Sequence, residues 1–119
     1  MIDQILLYDA APLELDISIP SLKVKGDDFD LVEQAIVNAY QLIEPYGNIV
    51  CGLLTTDGRT PAYGSFRLKR DEMCVVSVES TNYHGKENSI ERLVKMVKIL
   101  QIANPSIQIE DQVGYLAHR

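Results

Sequence analysis

The chain is poor in most of the residues that commit a small protein to a chemistry. Its 119 residues include no Trp, two Cys, two His and two Phe, and eleven Lys and Arg stand against seventeen Asp and Glu. Each shortage excludes something. Cys51 and Cys74 each sit inside an apolar run, where a free thiol behaves as a small core hydrophobe, so no disulfide framework is expected and the chain fits a reducing, cytoplasmic setting. His84 and His118 lie far from either cysteine, too thin a supply for a zinc site. A formal net charge of −6 disfavours attraction of the whole surface to nucleic acid or membrane. No stretch approaches the ~20 apolar residues of a membrane span. The apolar run that begins at Ile2 is short, acidic and without a basic leader, unlike a signal peptide. No cofactor and no membrane partner are expected.

What is present is hydrophobic patterning and an uneven charge. At 46% hydrophobic and 24% charged, residues 1–119 suit a single domain able to bury roughly two-thirds of its unfolded surface. Residues 1–58 carry ten acids and two bases, Lys23 and Lys25, a net −8; residues 59–119 carry nine bases and seven acids, a net +2. A domain divided in this way can pair head to tail with itself or turn its acidic part to a basic partner.

Periodicity assigns the elements. Gln4–Tyr8 is a candidate strand, and residues Leu13 to Ile19 alternate apolar and polar, the mark of a half-buried strand. Pro20-Ser21 reads as a bend before Leu22-Lys23-Val24. From Asp28 onward, Phe29, Val32, Ile36, Ala39, Tyr40 and Ile43 recur at helical spacing, and Leu31, Ala35 and Leu42 widen the apolar stripe to nearly half the circumference. A helix so patterned is expected to be contacted on two sides. Pro45 and Gly47 end it. A meander follows: a doubly apolar strand over 48–55, an Asp-Gly turn at 56–59, a return strand with Phe66 and Leu68 on one face, a turn at Arg70-Asp71-Glu72, and a Val-rich strand from Met73 to Val78. A second helix buries Ile90, Leu93, Val94, Val97 and Leu100 and stops at Asn104-Pro105, with Ile107–Ile109 and Val113–Leu116 as one or two closing strands. The pattern predicts an α+β domain of order ββ-α-βββ-α-β, a mainly antiparallel sheet of N-terminal strands and a three-stranded meander packed by two amphipathic helices.

Four groups of residues stand out as candidate sites. Asp27, Asp28 and Asp30 surround the first helix start, where acids complement the helix dipole, and with Glu33 they make the acidic surface expected to face a partner. In the loop to the second helix, Tyr83 and His84 precede Gly85-Lys86, placed as an anion-cradling loop would be; Ser80 and Glu87, however, stand where such a loop needs glycine and a hydroxyl. On the second helix Arg92, Lys95 and Lys98 recur every three residues opposite the buried stripe. Ile99 and Ile102 fall among these bases, so a cover is expected, either the chain's own residues 107–116 or a second subunit.

Two resemblances follow from the order helix, three strands, helix. With Glu79 ending the third strand and Asp57 before the second, the run is similar in topology to the PD-(D/E)xK nuclease core, which implies magnesium held by two carboxylates; Thr81 stands where that family has its lysine. With Lys86, Arg92, Lys95 and Lys98 on the second helix, it also resembles a double-stranded RNA-binding domain, which implies a grip on phosphates, though only Lys86 lies in the loop where that family clusters lysines. No catalytic or metal-ligating set is assigned. The expected function is a small acidic protein-binding module of the inhibitor, immunity, adaptor or chaperone-like kind, working as a homodimer, with nucleic-acid binding and a metal-dependent nuclease-like hydrolase as alternatives.

Overall fold

The computed structural model describes residues 1–10, 19–43, 66–72, 74–80 and 86–118. Along the chain run β1 (Ile2–Ala10), β2 (Ile19–Gly26), α1 (Phe29–Ile43), β3 (Phe66–Glu72), β4 (Val75–Ser80), α2 (Lys86–Ala103) and β5 (Gln108–Asp111), and then a 3₁₀ turn, Leu116–His118. This is the expected α+β order. The meander strand expected over 48–55, with Cys51 and the 56–59 turn, lies outside the described residues, as do Leu13 to Ser18.

The five strands form one sheet in the order β3-β4-β2-β1-β5. It is mixed: β1–β2, β2–β4 and β3–β4 are antiparallel, but β1–β5 is parallel. The parallel pair has a simple cause. Helix α2 carries the chain back to the end where β1 begins, and there the Ile2 amide donates to Asn104 Oδ1 at 3.2 Å. A strand leaving from that point beside β1 must run in the same direction as β1.

Both helices pack on one face of the sheet. Ile5, Leu7, Leu22, Val24, Val76, Val78 and Leu68 share that face by register, and they form one buried cluster with Val32, Ile36, Ala39 and Tyr40 of α1 and Leu93, Met96, Val97 and Leu100 of α2. The helix stripes anticipated from spacing are therefore the core. Helix α1 starts where Asp28 Oδ1 accepts the amides of Asp30 at 2.8 Å and Leu31 at 3.3 Å, an N-cap that satisfies two of the donors a helix start leaves open. Helix α2 ends at Asn104, whose Nδ2 donates to the Leu100 carbonyl at 3.0 Å.

Local expectations failed at three places. Pro20-Ser21 is not a bend but part of β2: the β2–β4 ladder begins only at Ser21, so the missing N–H of Pro20 costs no bond on that side. Residues 70–72 belong to β3 rather than to the turn, with a register shift between Arg70 and Glu72, and Cys74 is a half-buried turn residue at φ 62° instead of a core strand residue. Residues 113–116 do not form a strand. The Asp111 carboxylate accepts the amides of Val113, Tyr115 and Leu116 at 3.3, 3.1 and 2.8 Å and Gly114 adopts φ 73°, which turns the chain instead of extending it.

Candidate functional site

The acids expected to form a partner-facing surface are divided in their uses at the start of α1. Asp28 caps the helix, and Asp27 Oδ2 lies 3.5 Å from the Met1 amine, both groups being well exposed. Asp30 is exposed and Glu33 half-buried. The distinctive neighbour of these acids is apolar. Leu31 is 54% and Leu42 71% exposed, and eleven residues of α-helix return to nearly the same angular position about 16 Å further along. Between them, on the same outer side, Gln34 Nε2 donates to Asn38 Oδ1 at 2.9 Å. The wide stripe read from the sequence is thus only half used, its Val32–Ile36–Tyr40 side buried in the core and its Leu31–Leu42 edge left open.

On α2 the three bases do not share one exposed face. Residues three apart rotate by about 60° around a helix, so a run of them drifts, and Arg92 is half-buried within electrostatic reach of Tyr40 on α1 while Lys95 and Lys98 stay exposed. Burial lowers the Arg92 guanidinium, with the Tyr40 phenol acting the other way. Burial also raises Tyr40, partly offset by Arg92. Ile99 packs against the core, whereas Ile102, one turn beyond Lys98, is 80% exposed. The chain's own C-terminal segment, although Val113, Tyr115 and Leu116 pack on the core, does not cover it. Lys86 opens α2; Tyr83 and His84 lie outside the described residues, so the loop group cannot be placed with the others.

Sequence reasoning missed the sheet face turned away from the helices. There Lys23, Lys25, Gln4, Leu6, Gln108, Glu110 and Val75 line an open cavity of about 490 Å³, and Lys23 Nζ stands 5.7 Å from the centre of the Tyr8 ring. One signal was available: Lys23 and Lys25 are the only bases among residues 1–58, and their spacing of two puts them on one side of a strand. Among the described residues no three His, Cys, Asp or Glu side chains gather as a metal would need. Glu79 lies on β4, in register with Ser21 and Arg67, and Asp57 is outside the described residues. No helix among the described residues is long and apolar enough to cross a membrane. No protein-family model, no curated protein and no solved structure matches the chain.

Proposed function

We propose that this chain is a small acidic protein-binding module, of the inhibitor, immunity, adaptor or chaperone-like kind, which acts by stoichiometric contact with a basic partner. One observation carries the proposal: Leu31 and Leu42 stand exposed in line on the outer side of α1, beside Asp27, Asp28 and Asp30, in a chain of net charge −6. Two anchors about three helical turns apart are how a helix face engages a groove. Acids at one end of that face would steer a basic partner and set its direction while contributing less to affinity. The exposed Ile102, left open by the chain's own C-terminal segment, supports a second copy as its cover, so the module is a homodimer whose α1 faces remain outward.

The test compares wild type with a Leu31→Lys/Leu42→Lys double variant in capture from the native host, read by mass spectrometry, with circular dichroism confirming that both are folded. The expected result is a basic protein recovered in stoichiometric amount by wild type and lost with the variant. Identical recoveries from the two would refute the assignment of this face. The mass in solution tests the dimer, which a monomer at high protein concentration, or a dimer untouched by Ile102→Lys, would contradict.

A further inference from the structure

The face of the sheet opposite α1 and α2 carries an ordered arrangement of charge. Strands β2, β1 and β5 lie side by side, and their register sets out two rows, Lys25, Gln4 and Gln108 in one and Lys23, Leu6 and Glu110 in the next. With Val75 these residues line the 490 Å³ cavity, a size within the roughly 300–1,000 Å³ of small-molecule sites. Among the described residues of the lining the charges are sorted by strand: both lysines belong to β2, and the carboxylate of Glu110 to β5. Lys25 and Glu110 are exposed, and neither has an ion-pair partner among the described residues. Middle strand β1 separates the two signs, so their backbones stand about 10 Å apart, twice the spacing of neighbouring strands. Leu6 and Val75 give the site an apolar floor, and the amides of Gln4 and Gln108 supply both donors and acceptors between the charged ends.

We propose that this cavity binds a small dipolar molecule whose anionic and cationic ends lie about 10 Å apart, of the class of a three-residue peptide with free termini. An extended chain advances about 3.4 Å per residue, so three residues span the gap between β2 and β5. The ligand carboxylate meets Lys25, its ammonium meets Glu110, and its peptide groups lie over Gln4 and Gln108. A ligand with a charge at one end only would leave the opposite side chain without a counter-ion. The site is on the other side of the sheet from α1, so it stands or falls independently of the helix-face contact.

Titration of the full chain with trialanine, followed by the backbone amide resonances, tests this. The expected result is saturable shifts confined to β1, β2 and β5, weakened about tenfold by Lys25→Met or by Glu110→Gln, as loss of one charge-assisted contact implies. N-acetyl-trialanine should bind wild type about tenfold more weakly than trialanine and lose nothing further in Glu110→Gln. Equal binding of free and acetylated peptide, shifts elsewhere on the fold, or no saturable shift at millimolar trialanine would each overturn the proposal.

Discussion

Replacing Gly26 by alanine is expected to be among the more damaging single-methyl changes in this protein. Gly26 closes β2 where three segments converge: its amide donates to the Cys74 carbonyl at 3.2 Å, and the next amide, of Asp27, donates to the Met1 carbonyl at 3.1 Å. A Cβ at position 26 would lie 2.6 Å from the Met1 carbonyl oxygen and 2.8 Å from Val32 Cγ2. Neither neighbour can yield cheaply. Val32 is fully buried and β-branched on a helix, with one favoured rotamer, and the Met1 oxygen can retreat only by releasing Asp27. Overpacking of this kind costs about 1–3 kcal/mol, and the released hydrogen bond adds about 1, giving about 2–4 kcal/mol. For a domain of this size that lowers Tm by roughly 8–16 °C. Urea unfolding should show a lower midpoint at unchanged m-value. Gly114→Ala separates space from backbone strain, since nothing lies within 4 Å of its Cβ but φ is +73°; its cost should be about 1–2 kcal/mol, from the left-handed conformation alone. A loss below about 0.5 kcal/mol for Gly26→Ala, typical of open surface positions, would refute the convergence described at the end of β2.

Two further outcomes follow from named contacts. Asp28→Ala removes the acceptor of two helix-start amides and should destabilise by about 1 kcal/mol, with Asp28→Ser recovering most of it; equal urea midpoints for all three proteins would deny the cap. The Tyr115 phenol, raised first by burial and then by its hydrogen bond to the Asp9 carboxylate, stays protonated in the fold at pH values where the unfolded chain ionises. Its contribution is therefore whole below the unfolded value of about 10 and lost progressively above it. Thermal unfolding followed from pH 8 to 11 should show a decline that is shallower in Tyr115→Phe, and parallel curves would contradict it.

The elements were legible where one face of a helix or strand is buried, because burial imposes a period. Spacing from Phe29 to Tyr40 and from Ile90 to Leu100 announced two helices whose buried sides are the core, and Asp28 marked where the first begins. What escaped was decided by partners distant in sequence. Pro20 reads as a breaker until the short reach of the β2–β4 ladder is known, Cys74 reads as core until the hairpin turn is located, and the direction of β5 depends on where α2 releases the chain. For the sites, the acids at the helix start were visible as a cluster, but exposure of Leu31, Leu42 and Ile102 is a property of packing that composition does not carry. The face opposite α1 and α2 was hidden more thoroughly, for its rows assemble from β2, β1 and β5, and no segment of sequence contains two residues of the same row.

The parallel pairing of β1 with β5 also sets an order of events in biosynthesis. Of the strands described, β1 is made before the others and lies second from the edge of the sheet, and residues 108–111 are the ones that shield its outer side. Until they are synthesised, β1 can pair with β2 but shows a row of open backbone groups along its far side, the kind of edge that recruits foreign strands. Chains interrupted before Gln108 are thus expected to associate through β1. The arrival of residues 108–111, and not the earlier appearance of the hydrophobic helices, is the step that closes this side of β1.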